Sequence, residues 1–137
     1  MRNPRYRGKR KDNDKWVYGS CCVDKSGDPI IINDVLVLPN GELCFSHYFV
    51  RKGTVGECTG ISDINSKLIF EGDIVRQYDS YLITEEKNYY VGVIYYDPDR
   101  CEFRMTSSGY GFSIRNGNVY EVVGNIYDGY KKGEEDE

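Results

Sequence analysis

Short runs rich in Val, Ile, Tyr and Phe alternate along the chain with Gly, Asn, Asp and Pro. No window of about eleven residues carries apolar positions at the 3.6-residue helical period. The pattern predicts a mainly β protein with little helix, with strands at 15–23, 29–33, 42–50, 73–78, 81–84, 89–97, 100–106, 112–115 and 118–127. The dipeptides Asn40-Gly41 and Asn116-Gly117 are suited to the positive φ angles of two-residue hairpin turns, and Asp97-Pro98-Asp99 presets a tight turn.

Two strands carry further information. In 100–106, Cys101, Phe103 and Met105 fall on one face and Glu102, Arg104 and Thr106 on the other, the pattern of a sheet with one wet side. In 89–97, Tyr89, Val91, Val93 and Tyr95 share one face and Tyr90, Gly92, Ile94 and Tyr96 the other, so both faces call for cover. In a small chain that cover comes from closing the sheet into a barrel or from another subunit, and the pattern leaves both open. The glycine-dense stretch 53–75 contains no phosphate-binding spacing, and its glycines are expected to serve backbone bends. Glu71-Gly72-Asp73-Ile74-Val75, followed by Val91-Gly92-Val93-Ile94, is similar to the opening of small SH3-like barrels. The expected fold is therefore small antiparallel sheets with an SH3-like or irregular β-barrel in the second half.

At 137 residues, 39% of them hydrophobic, the chain is large enough for one proper core. The expected organisation is a flexible basic end at 1–4, a single compact β unit at 5–128 with lobes at about 5–52 and 53–128, and a disordered charged tail at 129–137. No apolar run reaches bilayer length, and residues 1–11 contain no apolar segment of a secretory signal, so no membrane association and a cytoplasmic location are expected. Charge is uneven. Residues 1–15 hold seven basic side chains against Asp12 and Asp14, a net of +5, which leaves −9 for the remainder of a chain whose total is −4.

Recognisable reaction chemistry is sparse. The five cysteines have no Cys-x-x-Cys spacing and only His47 to join them, so no metal site is expected and the thiols are read as small hydrophobes. His47 shares a face with Leu43, Phe45 and Phe49 and is expected at a core margin. Glu57, Asp63, Glu71 and Asp73 are the remaining candidates for acid/base or metal chemistry. Glu71 and Asp73 would share a face if both lay on one strand. No pattern among them assigns a catalytic residue or a cofactor, and an enzyme is not expected.

Three segments together resemble the YopX family of small phage and prophage proteins. They are Tyr6-Arg7-Gly8-Lys9-Arg10 with Trp16-Val17-Tyr18-Gly19, then Thr54-Val55-Gly56-Glu57-Cys58-Thr59-Gly60 running on to Glu71-Gly72-Asp73-Ile74-Val75, and Val122-Val123-Gly124-Asn125-Ile126-Tyr127. The resemblance spans residue 5 to about 128. Tyr6 and Phe70 stand where the family pattern has phenylalanine and tyrosine, and Cys58 where an aromatic is usual. It implies a phage or prophage origin, a mostly β fold and action inside an infected bacterium, and it carries over no catalytic residue. It also reads Tyr6–Arg10 as an ordered first strand.

Two functional expectations follow. Thirteen tyrosines and the two-faced strand point to a self-assembling interaction protein whose contact includes Tyr89, Tyr90, Val91, Ile94, Tyr95 and Tyr96, with a host or phage protein as a further partner. The alternative is nucleic-acid binding through Arg5, Arg7, Lys9, Arg10 and Lys11, with Tyr6 or Trp16 stacking on a base. The acidic remainder of the chain disfavours it.

Overall fold

The computed structural model describes residues 4–78, 89–115 and 117–130. The expected strand at 81–84, Asn116 of the second Asn-Gly turn and the outermost parts of both ends lie outside the described residues. The elements are β1 (Tyr6–Lys9), β2 (Trp16–Val23), β3 (Pro29–Val37), β4 (Leu43–Phe49), a 3₁₀ turn (Lys52–Thr54), β5 (Gly56–Ser62), β6 (Leu68–Phe70), β7 (Asp73–Tyr78), β8 (Tyr89–Asp97), β9 (Glu102–Ser107), β10 (Tyr110–Ser113), β11 (Val119–Asn125) and β12 (Gly129–Tyr130). The protein is mainly β, in two six-stranded sheets ordered β4-β3-β2-β1-β5-β6 and β10-β9-β8-β7-β11-β12. It divides into two compact units, residues 1–58 and 59–137.

In the first unit β1 is an interior strand, pairing Arg7 with Tyr18 of β2 and Tyr6 with Glu57 of β5. The core is Val17, Ile31 and Val50, with Tyr6, Cys21, Tyr48 and Val55 packed against it. The end of β4 is tied back to β1. Arg10 bridges Val50, Arg51 N donates to Lys9 O at 2.7 Å, and Lys11 N donates to Phe49 O at 3.0 Å. Gly8 makes the approach feasible, since a Cβ there would stand 2.9 Å from Val50 Cγ2.

The hairpin at Asn40-Gly41 forms, but not with the expected two-residue turn. Leu38 N donates to Glu42 O at 2.7 Å and Gly41 N to Leu38 O at 2.8 Å, which leaves Pro39, Asn40 and Gly41 as the loop. Only Gly41 has positive φ, at +86°. Proline fixes φ near −65° and so selects a type I turn followed by a left-handed glycine.

The glycine-dense stretch was expected to supply bends, and it supplies two strands as well, β5 and β6. In the second unit Ile69, Val75, Ile94, Met105 and Tyr120 form the core, and Ile61, Ile114 and Val122 pack against it. The turn after β5 docks on β11, with Ile64 N donating to Tyr120 O at 2.9 Å. Among the described residues β10 and β12 are the outer strands and no pairing joins them, so the expected barrel is not closed by the described pairings. The inner face of β8 is covered by Ile61 and Ile69 of the β5–β6 hairpin instead.

Candidate functional site

In the first sheet the period-two alternation sorts side chains onto two faces. Val17, Ile31 and Val50 occupy the inner one. The register Ser20↔Ile32↔His47 and Cys22↔Ile30↔Phe49 places Tyr18, Ile30, Ile32, Leu43, Phe45, His47 and Phe49 on the other. That face is open. Leu43 is 58% exposed, Phe45 and Phe49 47% each, and Val37, beside Leu43 in register, 71%. His47 is also exposed, its ring edge-on to Phe49 at 6.2 Å. The expectation of a core-margin histidine is therefore wrong. Tyr48 and Val50, on the opposite face of the chain, face the core instead.

The basic segment of the sequence forms β1 and the turn after it, and the register Arg7↔Tyr18 and Lys9↔Trp16 sets Arg7 and Lys9 on the same face as Tyr18. Arg5 and Lys11 are exposed, whereas Arg7 is 3% exposed in the middle of the sheet. Its guanidinium lies 4.5 Å from the centroid of the Trp16 ring, and Lys9 Nζ lies 5.6 Å from the same centroid. Arg10 stacks over Tyr48 at 4.5 Å and reaches Asp12 through both Nε (2.9 Å) and Nη2 (2.6 Å). That hydrogen bond holds the Asp12 carboxyl below the usual carboxylate range. Arg7, Lys9 and Arg10 thus have aromatic partners within the first unit. Cation–π stacking on a half-buried ring contributes about 0.5–2 kcal/mol per pair.

In the second unit the tyrosine strand β8 runs between β7 and β9. Gly92 and Ile94 are buried on the core face. Tyr90 and Tyr96, on the same face near the strand ends, are 52% and 39% exposed, with Tyr90 beside Phe112 at 6.2 Å and Tyr96 edge-on to Phe103 at 5.2 Å. Tyr89, Val91, Val93 and Tyr95 are half-buried on the opposite face. That face also holds a polar cluster. Tyr78 Oη donates to Glu121 Oε1 at 2.8 Å, Arg76 Nη1 reaches the same oxygen at 3.3 Å, and Arg76 lies over Tyr89 at 5.1 Å. Burial first, then the Glu121 hydrogen bond, pushes the Tyr78 hydroxyl pKa up.

Two of the four carboxylates considered for chemistry, Asp63 and Asp73, accept hydrogen bonds from backbone N–H groups. Asp63 Oδ1 accepts from Asn65 N at 2.8 Å and Lys67 N at 2.9 Å, and its Oδ2 from Val122 N at 2.9 Å. Asp73, 1% exposed, accepts from Phe70 N at 2.8 Å. Glu71 and Asp73 do not share a strand face, because Gly72 between them turns the chain at φ +91°. Among the described residues no group of three or more His, Cys, Asp and Glu is placed to hold a metal ion. The five cysteines form no disulfide, and three of them, Cys22, Cys44 and Cys101, are exposed rather than buried as expected of small hydrophobes. No helix among the described residues is long and apolar enough to cross a membrane.

A family model described as YopX protein matches residues 5–130. The match covers nearly the whole chain, and the chain belongs to that family. No curated protein matches it.

Proposed function

We propose that this YopX-family protein is a non-enzymatic, self-assembling interaction protein of phage or prophage origin that acts in the cytoplasm of its bacterial host. The observation that carries this reading is the open aromatic face of the first sheet. Contiguous apolar area of that kind on a soluble protein marks a contact surface. It holds three phenyl or imidazole rings from alternate positions of one strand, Phe45, His47 and Phe49, with Leu43 and Val37 beyond them. The exposed Tyr90, Tyr96 and Phe112 of the second unit add tyrosine-rich surface of the type enriched at interfaces. The basic segment supports a nucleic-acid role less well, because Arg7, Lys9 and Arg10 lie on aromatic rings and Arg10 also pairs with Asp12.

Sedimentation equilibrium across a wide concentration range tests the proposal. A mass above that of one chain is expected, and a strictly monomeric protein refutes self-assembly. Fluorescence anisotropy with a labelled single-stranded oligonucleotide tests the rival reading. Tight binding with a steep salt dependence would favour nucleic acid.

A further inference from the structure

β4 is an edge strand, and its free edge is chemically specific. In an antiparallel ladder a residue aims its N–H and C=O to the same side, and neighbours alternate. Leu38 N donates to Glu42 O at 2.7 Å and Val50 N to Pro29 O at 3.3 Å, so Glu42, Cys44, Ser46, Tyr48 and Val50 face β3. The register shift opposite Ser46 lies in β3 and leaves this alternation in β4 intact. Leu43, Phe45, His47 and Phe49 aim outward. At Phe49 the carbonyl already accepts from Lys11 N at 3.0 Å, which ends the open stretch. Leu43, Phe45 and His47 remain, with no hydrogen-bond partner among the described residues.

Natural edge strands are blunted by charge, proline or a bulge that twists the edge away. From Leu43 to Phe49 this strand has no formally charged residue, no proline and no bulge of its own. We propose that this edge is the contact between two copies of the chain. β4 pairs antiparallel with β4 of a second copy across a two-fold axis, with Phe45 opposite Phe45 and Leu43 opposite His47. The inference rests on the self-assembly reading above and adds the surface, the partner and the register.

The register follows from the open groups. Centred on Phe45, every outward N–H and C=O of Leu43, Phe45 and His47 meets one from the second copy. Centred on Ser46, Leu43 would need the Phe49 carbonyl that Lys11 occupies. The chosen pairing also continues the open aromatic face across the axis. A second copy fits better than a foreign strand because the charges outside the strand are complementary. The same register sets Glu42 opposite Tyr48, whose ring carries Arg10 at 4.5 Å, beside a pocket of about 330 Å³ lined by Arg10, Lys11, Asp12, His47, Tyr48 and Phe49. A two-fold axis forms that contact twice.

The proposed register places Cys44 opposite Ser46 of the second copy in a non-hydrogen-bonded pair, with Cα atoms about 4.5 Å apart, inside the range a disulfide spans. Ser46→Cys under mild oxidation is therefore expected to give on the order of tenfold more covalent dimer than wild type on non-reducing electrophoresis. Adding Cys44→Ser to the same chain is expected to abolish the gain. Cross-linking that survives Cys44→Ser, or fails in a protein that sedimentation shows to be oligomeric, overturns the edge pairing while self-assembly stands. A monomeric wild type removes both. Should Ser46→Cys not fold, Phe45→Pro carries the test, since the N–H it deletes faces away from β3 and an edge strand accepts proline there. A folded species of lower mass supports the pairing, and an unchanged mass overturns it.

Discussion

Asp63 offers the sharpest test of whether a carboxylate here serves chemistry or the fold. It is 8% exposed and accepts from three backbone N–H groups, two in its own turn and one across at Val122. Asp63→Ala leaves all three without this acceptor. The turn donors regain water, at about 0.5–1 kcal/mol each, whereas the part-buried Val122 N–H loses a charge-assisted bond worth about 1–3 kcal/mol. The expected loss is about 2–5 kcal/mol, or roughly a 6–20 °C fall in midpoint for a domain of this size. Asp63→Asn refines the test, because its single oxygen can serve the turn or Val122 but not both, so its stability should fall between alanine and wild type. Thermal melts followed by circular dichroism, with urea titrations to obtain the slope, supply the numbers. If Asp63→Ala melts within about 2 °C of wild type, the turn is not stapled to β11 and the reasoning fails.

Ile94, 1% exposed, should not tolerate charge. Ile94→Glu is expected to cost about 3–5 kcal/mol and to make residues 59–137 protease-sensitive, whereas Val91→Glu, half-buried and opposite Arg76, should stay folded; equal effects would contradict the assigned faces. Trp16→Ala is expected to cost about 2–3 kcal/mol in urea titrations followed by circular dichroism, less than full burial would give because the half-buried ring is flanked by Arg7 and Lys9. A loss below about 0.5 kcal/mol would show that the stack contributes nothing. Acid should destabilise the protein in a defined window. Glu102 is held below its ordinary 4.5 by Ser113 first and then Arg104, and Asp97 below 3.8 by Arg100 first. Depressed carboxyl values favour the ionised native state, so this stability is present above the ordinary values and is lost as pH falls through the native ones. Melting temperature should hold steady down to about pH 5 and fall below it, and Glu102→Gln should flatten part of that fall.

Where both neighbours of a strand and its burial agree, the sequence was sufficient to place it. Asp73–Tyr78 and Tyr89–Asp97 match their strands end to end, because Ile74, Val75 and Tyr78 in the first and all but Gly92 and Asp97 in the second are β-branched or aromatic. Gly56–Ser62 gave no such signal. Its only large aliphatic side chain is Ile61, Gly60 holds φ +82°, and its strand character comes in part from pairing with β1, some fifty residues earlier in the chain. The inward face of β4 was ambiguous for a different reason. Both alternating sets, Leu43/Phe45/Phe49 and Cys44/Tyr48/Val50, contain apolar residues, and only the position of Val17 and Ile31 decides which turns inward. The basic segment was legible as charge from composition and as a first strand only through the family resemblance, since hydropathy does not foresee an arginine at 3% exposure supported by the ring of Trp16.

The interior position of β1 bears on the order in which the first unit completes itself during synthesis. β1 leaves the ribosome before β2 and finds it at once across a short turn, yet its other edge at Tyr6 and Arg7 is filled only when Gly56 and Glu57 emerge. Until then a nascent chain carries the backbone groups of Tyr6 and Arg7 uncovered on that side, a template for other nascent chains. A late-closing strand of this kind makes the yield of folded protein sensitive to translation speed and to pauses before the codon for Gly56. It also predicts that truncations ending short of that point accumulate as aggregates rather than as a stable half.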